Sequence, residues 1–192
     1  RAQPAYDRLL TAYEQYRVCL QAQTRSSGRF DKLQHKASVY VSHFLQVLLM
    51  AVERGEIKRQ YLTLYGLSHN ATSLPNFKTA DGLVEWGKRV LEGEKARIKK
   101  GGRPIYNPTI GMVSTHWDIF KNIYEQQKSL QNRTQKALDD IQKLRPEIDE
   151  ILLDLWNQIE KHFEKEPPEM RFEACRKFGV IYYYRRNEKH LY

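Results

Sequence analysis

The stretch 110–163, IGMVSTHWDIFKNIYEQQKSLQNRTQKALDDIQKLRPEIDEILLDLWNQIEKHF, keeps one apolar rhythm of threes and fours through more than seven heptads. With Ile110 as position a, the a series is Ile110, Trp117, Tyr124, Gln131, Leu138, Arg145, Leu152 and Ile159. The d series is Val113, Phe120, Gln127, Thr134, Ile141, Ile148, Leu155 and His162, and eleven of these sixteen positions are apolar or aromatic. Position g adds Ile123, Leu130, Ala137, Leu144 and Ile151. A stripe that wide exceeds what a two-stranded seam needs and belongs inside a bundle. The expected fold is therefore all-α, a helical bundle of about four long helices with a helical insertion and a short extended C-terminal tail.

Pro146 decides how this run is divided. Inside a helix a proline removes a backbone donor and costs roughly 3 kcal/mol, whereas at the first helical position it costs little. An unbroken helix over 108–165 would reach roughly 85 Å at 1.5 Å per residue. A break at Leu144 to Pro146, giving helices 108–144 and 146–165, is the expectation, and a kinked single helix is its rival. The unslipped register through Leu144, Ile148 and Ile151 favours the rival.

Working outward, 4–24 reads as a helix with Tyr6, Leu9, Leu10, Tyr13 and Tyr16 on a broad apolar face, stopped by Ser26-Ser27-Gly28. A second helix over 30–54 carries Leu33, Ala37, Val41, Phe44 and Leu48 and ends at Gly55, so the two predict an antiparallel hairpin. The segment 56–107 is an insertion or connection within a single domain spanning 1–192. It holds a short helix near 57–65, a polar loop with Pro75, and a helix opened by Thr79 or Asp81 that Gly101-Gly102 stops. Gly82, Gly87 and Gly93 weaken that helix by roughly 1 kcal/mol each relative to Ala, so it depends on packing. Asn107 and Pro108 are the expected N-cap and first residue of the long run. The segment 167–192 is a C-terminal appendage with a helix over 169–178 and a strand-like Val180 to Tyr184.

A chain of 192 residues with 41% hydrophobic and 11% aromatic residues can bury a substantial core. Its longest apolar run, Phe44 to Val52, is about half of what a membrane span needs, so no membrane partner is expected. Cys19 and Cys175 stand far apart and form no metal-ligand spacing, which suits a reducing, cytoplasmic setting. No secretory signal stands at Arg1, although one could have been removed.

The net charge of +9 is unevenly placed. Residues 107–166 carry eight Lys and Arg against eleven Asp and Glu, so everything else carries +12. The cations gather in two places. Lys95, Arg97, Lys99, Lys100 and Arg103 lie beside Tyr106, and Arg185, Arg186 and Lys189 follow Tyr182, Tyr183 and Tyr184. Cations interleaved with aromatics suit phosphate contacts and base stacking, which makes nucleic acid or another polyanion a partner class to test. Basic loops that serve only solubility look the same.

Catalytic and metal constellations find little support. A di-metal bundle needs Glu-x-x-His pairs, and the nearest approaches, Glu160-Lys161-His162 and Glu188-Lys189-His190, place their side chains on different faces. No HExxH, Walker A, GxSxG or GxGxxG motif occurs. No catalytic residue, metal ligand or cofactor is assigned. His43 and His116 read as packing residues, with a ligand role as the alternative. Asp139, Asp140, Asp149, Glu150 and Asp154 read as a solvated helix face. Gln127, Gln131 and Thr134 interrupt the seam; either they face water while Leu130 and Ala137 carry the core, or they fix pairing or hold a ligand.

Three segments, Tyr40 to Leu48 (YVSHFLQVL), Gly101 to Ile110 (GGRPIYNPTI) and Leu155 to Gln158 (LWNQ), resemble uncharacterised helical proteins of Bacteroidetes-type bacteria. The resemblance covers most of the chain from Tyr40 on and implies a bacterial source. It carries no activity and no site residue. The function expected from the residues is that of a non-enzymatic interaction or scaffold protein, with a protein partner or self-association. Polyanion binding through the basic segments is the first alternative, and a metal- or small-ligand-binding bundle the second.

Overall fold

The computed structural model describes residues 1–183, and among them it is an all-α helical bundle without strands. Helix α1 spans Ala2–Glu53, a 3₁₀ helix Arg59–Tyr65, α2 Ala80–Lys99, α3 Ile110–His162 and α4 Pro168–Lys177. No helix is long and apolar enough to cross a membrane. Two of the expected breaks do not form, so two long helices replace four.

The hairpin expected at Ser26-Ser27-Gly28 is absent because α1 runs straight through it. Ser and Thr can stop a helix by capping it, but here their hydroxyls turn back onto the helix. Thr24 Oγ1 donates to Leu20 O at 2.8 Å and Ser27 Oγ to Thr24 O at 2.9 Å. Ser26 faces inward and donates to Gln127 Oε1. What remains is one glycine at roughly 1 kcal/mol, too little to end a helix whose buried spacing continues on both sides.

The break expected at Leu144 to Pro146 is likewise absent, and Pro146 lies inside α3. The missing N–H forfeits one bond of the helical ladder, while the apolar seam on either side holds the helix together. The N-terminus of α3 also differs from expectation. Thr109, not Asn107, caps it, accepting from Met112 N at 3.3 Å, and Ile110 is the first helical residue. Thr79 caps α2 by accepting from Gly82 N at 3.1 Å, one of the two expected openings.

Contacts divide the chain into two compact units: Arg1–Arg17 with the chain from Gln135 on, and Val18–Thr134. In the Val18–Thr134 unit, α1 and α3 run antiparallel, with Ser26 against Gln127, Phe30 against Phe120 and Tyr40 against His116. Phe44, Leu45 and Leu48 from α1 meet Leu62 and Tyr65 from the 3₁₀ helix, Leu83 and Val90 from α2, and Val113 and Phe120 from α3. The glycines of α2 explain how a weak helix docks so closely. A Cβ at Gly87 would lie 1.9 Å from the Trp117 ring, and one at Gly93 would lie 2.5 Å from Tyr65. The Trp117 indole N–H donates to Val84 O at 3.2 Å.

In the other unit α1 and α3 again run antiparallel, tied by Arg8 to Glu147 at 2.5 Å and Arg1 to Glu150 at 3.3 Å. Ala5 on α1 and Ala137 and Ile151 on α3 are buried, and Cys175 and Val180 are buried at the C-terminal end. Leu152 and Leu155, expected in the core, are 39% and 36% exposed. Leu152 is at position a, which in this unit also holds Arg145, whereas position g supplies Ala137 and Ile151, the buried side chains of α3 there, so the covered side lies toward g. Leu155, at position d, lies beyond Ile151, where every residue of α3 from 152 to 158 is exposed. The strand-like tail forms no strand as far as Tyr183; Tyr182 donates to Glu160 at 2.7 Å.

The polar girdle divides. Gln127 and Thr134 are buried and Gln131 is exposed. Gln127 is satisfied by Ser26, and Thr134 by donating to Leu130 O at 3.0 Å.

Candidate polyanion-binding cleft

The Val18–Thr134 unit holds one buried charged cluster, and a cleft opens beside it. Gly66, in the left-handed region at φ 71°, ends the 3₁₀ helix directly after Tyr65. The missing side chain at Gly93 then admits the Tyr65 ring against α2. Glu94 and Arg97 stand three residues apart on α2, hence on one face. Glu94 is fully buried and Arg97 is 2% exposed.

Burial of a charge is tolerated only with complete pairing. Arg97 donates Nη2 to Glu94 Oε1 at 2.7 Å and Nε to Glu94 Oε2 at 2.9 Å. Its Nε also lies 2.9 Å from the Tyr65 hydroxyl, which donates to Glu94 Oε2. Burial beside Glu94 pushes the Tyr65 hydroxyl far above its ordinary range, so it remains a donor. Burial opposes the charge of Arg97, but the bonds and attraction from Glu94 and Tyr65 outweigh it and the guanidinium stays protonated.

The same cluster fixes the segment that follows α2. Arg97 Nη2 donates to Arg103 O at 2.7 Å, and Glu94 Oε1 accepts from Ile105 N at 3.2 Å. Gly102 rests against the guanidinium, since a Cβ there would fall 2.7 Å from Nη1. The 101–107 strap is thereby pinned to α2 at two backbone groups.

Between this strap, the C-terminal end of α1 and the start of the 3₁₀ helix lies a cleft of about 770 Å³. Its lining includes Arg54, Lys58, Tyr61, Arg97, Lys100, Arg103 and Tyr106. Arg54 is engaged by Glu56 at 2.6 and 3.0 Å; that bond raises the affinity of Arg54 for its proton and lowers that of Glu56. Lys58, Lys100 and Arg103 make no ion pair among the described residues. Three segments thus bring to one concavity three cations that have no ion-pair partner among the described residues.

Of the cations singled out in the sequence, Lys100 and Arg103 line the cleft, and Arg97 lines it while serving the buried cluster. Lys95 and Lys99 are exposed on α2 and do not line it. Arg185, Arg186 and Lys189 lie outside the described residues. The sequence reading missed Arg54, Lys58 and Tyr61, although cations flanking the Gly55 helix stop were visible. It also missed the pairing of Glu94 with Arg97, which their spacing of three would have shown.

The other candidates occupy plain settings. His43 is exposed, and His116 stacks on Tyr40 with ring centroids 4.0 Å apart. Asp139, Asp140, Asp149, Glu150 and Asp154 each meet a nearby Gln, Lys or Arg at 2.8 to 3.6 Å. Among the described residues no group of three or more His, Cys, Asp or Glu is placed to hold a metal ion.

The chain matches no protein-family model, no curated protein and no solved structure.

Proposed function

We propose that this chain is a non-enzymatic helical interaction protein that engages a polyanion through the cleft beside the 101–107 strap. The observation that carries the reading is the convergence on one concavity of Lys58, Lys100 and Arg103, which have no ion-pair partner among the described residues. Like charges gathered this way repel one another and gain most when an anion bridges them. The buried Tyr65, Glu94 and Arg97 cluster supports the same reading, because it holds the strap that presents Lys100 and Arg103. A cytoplasmic setting fits the two cysteines, which are both free thiols. A bacterial source rests on the resemblance of the three segments alone.

Binding to a fluorescent single-stranded oligonucleotide, followed by anisotropy over a salt series, tests the proposal. Affinity is expected to fall steeply with salt as counterions are released. Replacing Lys58, Lys100 and Arg103 together with Ala should flatten that dependence, whereas replacing Lys136, Lys143 and Lys161 should leave it unchanged. A slope indifferent to the first set overturns the reading.

A second reading is favoured by a separate observation. On α3, Leu152, Leu153, Leu155 and Trp156 are all more than a third exposed, within five residues. Contiguous apolar surface of this kind suits a protein partner or a second copy of the chain. Sedimentation over a concentration series, compared with a Leu153→Glu, Trp156→Glu variant, tests self-association. A mass unchanged by concentration and by the variant removes that form of the reading.

A further inference from the structure

We infer that the cleft is built for a nucleotide: a phosphate chain held by Lys58, Lys100 and Arg103, with a flat base stacked on Tyr106. The inference rests on the anion-binding reading above and names the ligand chemistry of the same site.

Size, charge and the aromatic rim each narrow the choice. The cleft volume of about 770 Å³ lies within the roughly 300 to 1,000 Å³ range of small-molecule sites. A folded polymer surface needs a broad face, whereas this concavity suits one compact group. Three cations without an ion-pair partner among the described residues match a diphosphate, which carries about three negative charges at neutral pH. Arg54 is already satisfied by Glu56, and Arg97 by Glu94, so neither adds to that balance.

Tyr106 turns this anion site toward a nucleotide. It lines the cleft, yet it is 77% exposed and makes no ring contact among the described residues. It follows the pinned residue Ile105 and pairs in an isolated bridge with Thr109, so its backbone is fixed on both sides. An exposed aromatic on a held backbone next to a cluster of cations supplies the two contacts a nucleotide needs, a stacking face and a charged cradle. Tyr61, on the 3₁₀ helix, adds a second ring to the lining.

The same chemistry is available from a free nucleoside diphosphate and from the phosphorylated end of a nucleic acid strand, and the experiment separates them. Isothermal titration calorimetry of the full chain at low salt would use ADP, CDP, inorganic pyrophosphate, and an oligonucleotide with either a 5′-phosphate or a 5′-hydroxyl. ADP is expected to bind, and Lys100→Ala or Arg103→Ala to weaken it about tenfold each. Tyr106→Ala should weaken ADP about tenfold while leaving pyrophosphate unchanged, and Tyr106→Phe should restore ADP binding. These exposed substitutions leave the buried cluster in place, and circular dichroism verifies that the helices persist.

If the 5′-phosphorylated strand binds more tightly than ADP and the 5′-hydroxyl strand does not bind, the strand end is the source and the inference stands in that form. If pyrophosphate, ADP and CDP bind alike and Tyr106→Ala changes none of them, the nucleotide inference is overturned while anion binding holds. If none of the probes binds, both fail.

Discussion

The two units use the same pair of helices to different effect. In the Val18–Thr134 unit, α1 and α3 are joined by α2 and the 3₁₀ helix, and Phe44, Leu48, Leu83, Val113 and Phe120 reach zero exposure. In the unit of Arg1–Arg17 with the chain from Gln135 on, Leu9, Ala12 and Tyr16 on α1 and Ile141, Leu144 and Ile148 on α3 are only half-buried. The heptad spacing is equally regular in both. Periodicity therefore specifies that a helix has an apolar side, while the depth of burial depends on how many other elements are present to cover it.

Among the largest expected effects is that at the buried charged cluster of the Val18–Thr134 unit, which has no counterpart among the described residues of the other unit. Glu94→Ala leaves the Arg97 guanidinium buried without its carboxylate, and should cost about 3 to 5 kcal/mol in urea unfolding. The double substitution Glu94→Met, Arg97→Met removes both charges and should recover most of that loss. If the double variant is no better than the single one, the loss is not that of an orphaned buried charge.

Next come the apolar seams. Phe120→Ala should cost about 3 to 5 kcal/mol, as a fully buried aromatic does. Leu152→Ala, at a position more than a third exposed, should cost about 1 kcal/mol or less. Equal losses at the two sites would erase the contrast between the units.

Two glycines in helices then test opposite consequences of the same residue. Gly87→Ala drives a Cβ into the Trp117 ring and should destabilise by about 1 to 3 kcal/mol. Nothing lies within 4 Å of a Cβ at Gly28, so Gly28→Ala should stabilise by about 0.5 to 1 kcal/mol if α1 is continuous there. A loss of stability at Gly28 would restore the turn that Ser26-Ser27-Gly28 suggests.

These sites show what the sequence made legible. The helical class follows from spacing, and the helix stops at Gly55 and Gly101 follow from glycine itself, with φ positive at both. Local propensity at Gly28 and Pro146 points to breaks, and the seam that continues across both positions overrides it. Leu152 and Leu155 continue the a and d spacing, but spacing does not show that α3 loses its cover after Ile151. Half the cleft was visible as the basic run ending at Arg103; the other half, Arg54 and Lys58, is some 40 residues earlier and joins it only through the fold. By propensity the glycines weaken α2, but in the fold Gly87 and Gly93 are the notches that let Trp117 and Tyr65 approach.

The smallest expected effect is a pH dependence at the edge of the better-covered unit. His116 on α3 stacks against Tyr40 of α1, and partial burial, with the charge of Lys36 acting in the same sense, lowers its proton affinity. The folded state thus binds a proton at His116 less readily than the unfolded chain, whose histidine titrates near 6.5. Unfolded chains take up more protons as pH falls, so stability rises with pH through this window. The contribution of His116 is fully present above about pH 6.5 and is lost as pH falls through the lower folded value. His116→Phe keeps a ring against Tyr40 and removes the titration. Its unfolding free energy between pH 7 and 5 should decline less than that of the unaltered chain, and Lys36→Gln should reduce the decline in the same direction. Parallel declines in all three proteins would show that the Tyr40 and His116 contact does not sense protons.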